Sequence, residues 1–178
     1  ALDRDVEAGL PDGVVNLLTG GGPEVGEALV DHPDVKAISF TGSNTVGDRI
    51  AERAGRRRAK VQLEMGGKNA VIVLADADLD LAASAVSLGA FGSTGQRCTA
   101  PRRIIAVRSV AEELISLLAE GTAQITVGPG DAAGVDVGPL IDAKAHADVS
   151  AHRRRAVQEG AVVAAQGRSV GDPSGYFL

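Results

Sequence analysis

The sequence predicts an α/β fold built on parallel strands, and three observations support this. Short apolar segments rich in β-branched residues alternate with longer segments whose apolar residues recur at helical spacing. Turns containing Gly or Pro separate these segments at intervals that suit strand–helix–strand units. Aromatic residues make up only 2% of the 178 residues, so we expect a core of Ala, Val, Leu and Ile.

The sequence of the first 64 residues predicts three strands and two helices. The strands are short apolar runs, and each helix places its apolar residues on one face. A turn with three consecutive glycines follows the first strand, and Pro33 ends the first helix. The predicted strands span residues 14–18, 35–40 and 60–64, and the predicted helices span residues 24–31 and 44–54.

The strand–helix pattern restarts after the Met-Gly-Gly string at residues 65–67. Either Asp76 or Asp78 can cap a helix that runs towards Ala90. Polar connections rich in small residues are expected at 92–101 and 128–139. The predicted strands span residues 70–74, 103–107 and 161–165, and the other predicted helices span residues 110–121 and 142–159.

Charge and composition argue against several classes of partner. The formal net charge is −5, and the basic runs at 56–58 and 153–155 lack interleaved aromatic residues, so we expect no nucleic-acid partner. No apolar run approaches the roughly 20 residues that a membrane helix needs, so we expect no membrane partner. The histidines His32, His146 and His152 lack Cys or His neighbours at metal-ligand spacing, so we expect no metal site.

Cys98 is the only cysteine and the first candidate for catalysis. It permits no intrachain disulfide, which fits a reducing cytoplasm. A lone cysteine is commonly a small buried hydrophobic residue. Cys98 instead follows a loop of Gly, Ser, Thr and Gln, and the neighbouring Arg97 supplies the kind of positive charge that activates thiolates. This setting indicates a nucleophile.

Glu64 is the second candidate because it ends a predicted parallel strand. Ligands of open α/β sheets bind at that edge. Taken alone, the position of Glu64 favours an ordinary solvent-facing glutamate at a strand end. The glycines at 66 and 67 allow the backbone to approach a ligand closely, which favours a functional role.

The segment from Phe40 to Ser43 joins a predicted strand to a predicted helix. The free N–H groups and the dipole at that helix start suit an anion such as a pyrophosphate. Ser43 can equally be an ordinary N-cap. Three glycines at 20–22 together with Gly26 give a weaker signal, because they do not match the G-x-G-x-x-G pattern.

The strings FTGSNTVG, LEMGGKNAVIV, DADLD and GQRC, in this order and spacing, resemble the aldehyde dehydrogenase superfamily. The resemblance runs through essentially the whole chain. It implies the C-terminal part of a Rossmann-like dinucleotide-binding domain at residues 1–64. It further implies an incomplete, thiol-bearing α/β catalytic domain of aldehyde dehydrogenase type at residues 65–178, with the fold truncated at both ends.

The resemblance also implies a reaction and a set of site residues. An aldehyde substrate would be oxidised to a carboxylic acid, with NAD or NADP accepting the hydride. Cys98 would be the nucleophile that forms a thiohemiacetal and then a thioester, with its own N–H holding part of the oxyanion. Glu64 would be the general base that activates the hydrolytic water. The implied cofactor contacts are Gly22, Gly26, Phe40, Gly42, Ser43, Val46, Met65 and Gly66.

Several parts of the family pattern lie outside these 178 residues. They include an asparagine that supplies the second oxyanion donor, the residues that hold both riboses of the cofactor, and the oligomerisation strand. We therefore expect the isolated chain to be unable to turn over aldehyde, and the whole enzyme to be a cytoplasmic homo-oligomer. The string around Cys98 is similar to semialdehyde-oxidising members, including those that act on 2-oxoglutarate semialdehyde.

Two other functions stay open. One is a truncated relative that serves only binding or assembly, although the presence of both Cys98 and Glu64 argues against such a relic. The other is a cysteine-dependent esterase, since a thiol and a base can cleave esters. The esterase hypothesis lacks a histidine near Cys98 in the sequence.

Overall fold

The computed structural model describes residues 9–170 and 175–178. The chain divides into two compact units, and the division falls between Met65 and Gly66. Both units combine helices with parallel strand pairs, which confirms the predicted α/β class. Within these described ranges, no helix has both the length and the apolar character needed to cross a membrane.

The first unit is built on one parallel strand pair. A π-helical turn precedes a short helix, and a longer helix then connects the two strands. In chain order the elements are the π-turn (Gly22–Gly26), α1 (Glu27–Asp31), β1 (Ala37–Gly42), α2 (Asn44–Arg56) and β2 (Lys60–Met65). The strands predicted at 35–40 and 60–64 and the helix predicted at 44–54 are therefore confirmed, with shifts only at their ends.

The sequence of α2 explains both its start and its packing. Ser43 is its N-cap, because the Ser43 hydroxyl accepts a hydrogen bond from the backbone N–H of Val46 at 3.4 Å. Gly47, Ile50 and Ala54 are buried at helical spacing and form the apolar face of α2. A side chain at position 47 would overlap the sulfur of Met65, so glycine there lets α2 lie close to the end of β2.

The strand predicted at residues 14–18 is wrong. The segment forms a turn followed by irregular backbone, and its apolar side chains are exposed, with Val14 at 60% and Leu17 at 67%. High β propensity is not sufficient because a strand needs a partner, and among the described residues β1 and β2 pair only with each other. The helix predicted at 24–31 also differs, since its first turn is the π-turn and only the rest is α-helical.

The second unit holds two further parallel strand pairs and three longer helices. In chain order these are β3 (Ala70–Val73), α3 (Leu79–Phe91), β4 (Arg103–Ala106), α4 (Arg108–Gln124), β5 (Thr126–Val127), α5 (Ala143–Gln158) and β6 (Arg168–Ser169). Strand β3 pairs with β4, and β5 pairs with β6. The core lies where α3, α4 and β3 meet, and its buried members are Val73, Ala83 and Leu114.

Asp78, and not Asp76, caps α3. Its carboxylate accepts a hydrogen bond from the backbone N–H of Leu81 at 3.0 Å, which resolves the two options that the sequence left open. Helix α5 starts in the same way, because Asp142 accepts from the Ala145 N–H at 2.7 Å. The helices predicted at 110–121 and 142–159 are thus confirmed as α4 and α5.

The strand predicted at residues 161–165 is wrong as well. Its backbone is irregular, and Val162 is 89% exposed. The strand lies later in the chain, at β6. There the N–H groups of Arg168 and of Val170, which follows β6, donate to the carbonyls of Ile125 and Val127, each at 2.8 Å. Strand β5 has only two residues, and both pair with β6. The apolar run at 161–165 therefore has no place beside β5 and lies outside the sheet.

Candidate active site

Glu64 lies near the carboxyl end of β2, as the sequence predicts. It stands opposite Thr41 of β1, and the next pair in the register is Gly42 with Met65. The Glu64 side chain is exposed, whereas Met65 is half-buried against α2. The carboxylate therefore faces solvent at the sheet edge where β1 turns into α2, which is the edge that binds ligands in open α/β sheets.

The turn between β1 and α2 is shaped by a glycine and a phenylalanine. A Cβ at Gly42 would overlap the ring of Phe40, so glycine at this position lets the ring fold back over the strand end. The hydroxyl of Ser43 is used as the N-cap of α2, which is the ordinary structural role that the sequence left open for it. Backbone N–H groups of the first turn of α2 remain the groups that could meet an anion here.

A cavity of about 320 Å³ lies within the first unit. The π-turn, α1, β1 and α2 form its walls, and its aliphatic lining comes from Leu29, Val30, Ile38 and Ile50. Four of the residues predicted to contact a cofactor lie on its wall, namely Gly22, Gly26, Phe40 and Val46. Its size and mostly apolar lining are typical of a small-molecule site.

Charged residues join the two helices that wall this cavity. Arg49 of α2 contacts Glu27 of α1 at 2.5 Å, and Arg53 contacts Glu27 at 3.1 Å and also pairs with Asp31. The hydrogen bond from Arg53, together with the nearby charge of Arg49, lowers the pKa of Glu27. This cluster was not predicted from the sequence, although acidic residues four apart on α1 and arginines four apart on α2 indicate possible charge pairing.

Cys98 is exposed and lies just after a turn of unusual backbone geometry. Ser93, Thr94 and Gly95 have φ values of 52°, 59° and 63°, so three consecutive residues adopt the left-handed conformation. For a β-branched residue such as Thr94 this conformation is strained, and such strain tends to persist at functional sites.

Hydrogen bonds within the loop and to residues 138–141 hold this turn in place. The Thr94 hydroxyl donates to the Gly138 carbonyl at 3.3 Å, and the Ile141 N–H donates to the Gln96 side chain at 3.1 Å. The Arg97 guanidinium donates to the Ser93 hydroxyl at 3.0 Å. The connection predicted at 128–139 therefore supports the cysteine-bearing loop, which the sequence could not reveal because these contacts join distant residues.

Asn69 holds the loop directly at the cysteine. Its side-chain amide donates to the Cys98 carbonyl at 2.6 Å and makes a longer contact, 3.5 Å, with the Ala100 carbonyl. Asn69 was not predicted as a site residue, because an asparagine after a Gly-Gly-Lys string carries no chemical signal of its own.

The predicted site residues are divided between the two units. The first unit gathers Gly22, Gly26, Phe40 and Val46 around the cavity, and it places Gly42, Ser43, Glu64 and Met65 at one edge of the strand pair. The second unit contains Gly66 and Cys98. The predicted shared cleft for Cys98 and Glu64 stays a prediction.

The histidines have partners of their own. His146 Nε2 lies 3.1 Å from the Phe177 carbonyl, His32 Nδ1 accepts the Asp34 N–H at 3.2 Å, and His152 contacts Arg155 at 3.1 Å. In the part of the chain that the structure describes, no group of three or more His, Cys, Asp or Glu side chains could hold a metal ion.

The parallel strand pairs and the helices that connect them define an α/β protein, with a cavity in its first unit and an exposed cysteine in its second. The model of the aldehyde dehydrogenase family matches residues 5–178, so the chain belongs to the aldehyde dehydrogenase family. An α-ketoglutaric semialdehyde dehydrogenase from Bacillus subtilis is 44% identical over 175 residues, which cover 97% of this chain and 36% of that protein. The chain thus spans about a third of the length of the curated relatives that it matches.

Solved structures show the same fold. An aldehyde dehydrogenase from Bacillus cereus in complex with NAD⁺ superposes with a TM-score of 0.90 at 36% identity, covering 97% of this chain and 35% of that one. An NADP-dependent enzyme from E. coli superposes with a TM-score of 0.92 at 35% identity, covering 99% of this chain and 37% of that one. The expected aldehyde dehydrogenase type of α/β fold is therefore confirmed.

Proposed function

We propose that this chain carries the nucleophile and the general base of an NAD(P)-dependent aldehyde dehydrogenase. One observation carries the proposal. In a chain of this family, the single cysteine is exposed and lies in a loop that is hydrogen-bonded to the Asn69 side chain and to the backbone of residues 138–141. A structural cysteine would instead be buried in an apolar core.

The Cys98 thiolate attacks the carbonyl carbon of the aldehyde and forms a thiohemiacetal. The backbone N–H of Cys98 stabilises the oxyanion. Loss of hydride from the former aldehyde carbon, together with collapse of the oxyanion, leaves a thioester on Cys98. The Glu64 carboxylate then removes a proton from water as the water attacks the thioester, which releases the carboxylic acid and regenerates the thiolate.

NAD or NADP supplies the hydride acceptor for this reaction. The apolar cavity between α1, β1 and α2 suits the flat adenine end of such a cofactor, because its walls are aliphatic and it is large enough for a ring system. The start of α2, with Gly42 and Ser43, suits the diphosphate. By resemblance, Met65 and Gly66 provide backbone near the nicotinamide.

The two units correspond, in this proposal, to the end of the cofactor domain and the start of the thiol-bearing domain. The proposed substrate class is a semialdehyde, supported by the relative named α-ketoglutaric semialdehyde dehydrogenase. Because the chain spans about a third of such relatives, these 178 residues alone are expected to bind cofactor and react at Cys98 without turning over aldehyde.

Alkylation of Cys98 by iodoacetamide tests the proposal. The rate is measured by intact mass from well below to well above the ordinary cysteine pKa of about 8.5, with and without NAD or NADP. We expect a reactive thiol whose alkylation rate changes when cofactor is present, and no alkylation in the Cys98→Ser variant. An inert thiol would favour the non-catalytic relative. Ester cleavage at a rate that neither NAD nor NADP changes would favour the esterase.

A further inference from the structure

We propose that Asn69 is a positioning residue that aims the backbone N–H of Cys98 at the oxyanion. The inference rests on the proposed function, since it assigns a role to a residue that supports the same nucleophile. It goes further by naming the group that sets the geometry of the oxyanion donor, which lies 29 residues earlier in the chain.

The Asn69 side chain contacts backbone carbonyls at both ends of the short segment from Cys98 to Ala100. Its amide nitrogen donates to the Cys98 carbonyl at 2.6 Å and lies 3.5 Å from the Ala100 carbonyl. Its own backbone carbonyl accepts from the N–H groups of Arg102 and Arg103 at 2.9 and 3.2 Å. Asn69 therefore binds both the cysteine-bearing turn and the start of β4.

Asn69 is itself held firmly, because it directly precedes β3. In the β3–β4 register, Ala70 lies opposite Arg103, so the backbone of Asn69 continues the strand pair. The Arg103 side chain also donates to the Lys68 carbonyl at 2.7 Å, which fixes the residue on the other side of Asn69. A clamp built on a strand pair positions its target more precisely than one built on a free loop.

The clamp holds the peptide group after Cys98, and a turn holds the peptide group before it, which carries the Cys98 N–H. The Arg97 carbonyl accepts a hydrogen bond from the Ala100 N–H at 3.2 Å, and Ala100 is buried. Because a trans peptide places its carbonyl and its N–H on opposite sides, the Cys98 N–H points away from this turn. Among residues 9–170 and 175–178 it finds no hydrogen-bond acceptor, so it is available to a ligand.

This contact requires a side-chain donor at position 69. An alanine has no donor, and an aspartate of the same size carries two acceptor oxygens that would repel the carbonyls of Cys98 and Ala100. Asn69 and Cys98 are both exposed, so losing the hydrogen bond between them changes stability little. Its effect should therefore appear in the chemistry of the thiol more than in the fold.

Two reactions of Cys98 separate positioning from mere reactivity. Acylation by 4-nitrophenyl acetate passes through a tetrahedral oxyanion and uses the Cys98 N–H, whereas alkylation by iodoacetamide is a direct displacement without an oxyanion. The variants are Asn69→Ala and Asn69→Asp. The matched control is Asn16→Ala, which removes an amide that likewise donates to a backbone carbonyl, that of Gly13 at 2.8 Å, in the first unit.

We expect both Asn69 variants to lower the acylation rate about tenfold, because a shifted donor loses part of the oxyanion stabilisation. In Asn69→Ala, the alkylation rate and its pH profile should stay within about twofold of the unsubstituted chain, since the thiol remains exposed. In Asn69→Asp, the added negative charge lowers the thiolate fraction for both reactions alike, so the readout is the ratio of the acylation rate to the alkylation rate. Asn16→Ala should change neither rate. Circular dichroism verifies that the variants fold. If Asn69→Ala does not fold, the test uses Asn69→Asp, which keeps the shape of the side chain.

Unchanged acylation in a folded Asn69 variant would overturn the inference while leaving the proposed function intact. An equal loss in both reactions would also overturn it, because Asn69 would then affect access to the thiol and not the oxyanion donor. If the unsubstituted chain shows no acylation that depends on Cys98, the proposed function itself fails, and the inference fails with it.

Discussion

Replacing Leu114 with alanine should destabilise the second unit strongly, because Leu114 is the best-buried large side chain of its core. It is 2% exposed and packs with Val73 and Ala83 between α4, β3 and α3. The substitution removes three buried carbons, which corresponds to about 2.4 kcal/mol of lost transfer free energy. A partly collapsed cavity adds about 1 kcal/mol, so we expect a loss of about 3 kcal/mol.

The next residue on α4 provides a matched control. Ile115 is 55% exposed, so Ile115→Ala loses about half of the transfer term, and the better helix propensity of alanine offsets part of that. We expect a loss below about 1 kcal/mol.

Native-state hydrogen exchange of the β3 and β4 amides measures the effect within the second unit alone, independently of how stable the first unit is. The expected result is much faster exchange in Leu114→Ala and little change in Ile115→Ala. Equal protection in the two variants would refute the assignment of Leu114 to the core.

Three further predictions concern single contacts. Asp78→Ala should lower the free energy of unfolding of the second unit by about 1 kcal/mol through loss of the α3 cap; Asp76→Ala, two residues earlier, should cost less than about 0.5 kcal/mol in the same urea titration. Gly95→Ala should cost about 2 kcal/mol, because φ is +63° and the new Cβ would lie 2.8 Å from a carbonyl oxygen of α3; an unchanged melting temperature would contradict this. The hydrogen bond from Arg53 keeps the pKa of Glu27 below its ordinary value of 4.5, so the stability it contributes is present above that value and is lost as the pH falls through the lowered pKa. In Glu27→Gln, the free energy of unfolding should therefore fall less steeply as the pH is lowered below 4.5. The same pH dependence in the variant and the unsubstituted chain, measured by urea unfolding at several pH values, would argue against the pairing of Glu27 with Arg53.

The sequence predicted those elements that are determined by local patterns. Helix α2 carries its cap and its apolar face within one segment, and the helix forms where the sequence predicts it. Strand β2 alternates between exposed and half-buried side chains, which is the period-two pattern of a strand with one covered face. The placement of Glu64 at the end of β2 followed from the position of that strand.

The two wrong strands failed for a tertiary reason. Residues 14–18 and 161–165 have the composition of strands, but a strand exists only where another backbone offers hydrogen bonds. In the described residues, β1 pairs with β2, and β5 pairs with two residues at β6. Composition gives the preference of a segment for strand structure, but it carries no information about which other strand the segment could pair with.

The site shows the same division. The chemistry proposed for Cys98 and Glu64 rests on residue type and motif, which the sequence displays directly. The supports were not readable, since Asn69, Thr94 and Gln96 act on backbone groups 29 to 45 residues away along the chain. Those contacts depend on where the strands and connections meet in space, which no local pattern encodes.

The central claim is that Cys98 and Glu64 act on one substrate carbon, and deacylation of Cys98 tests it most directly. The acetyl thioester is formed with 4-nitrophenyl acetate, and its decay is followed by intact mass in the unsubstituted chain and in Glu64→Gln. If Glu64 activates the hydrolytic water, the variant should acylate normally and deacylate about a hundredfold more slowly. Equal deacylation rates in the two proteins would contradict the account.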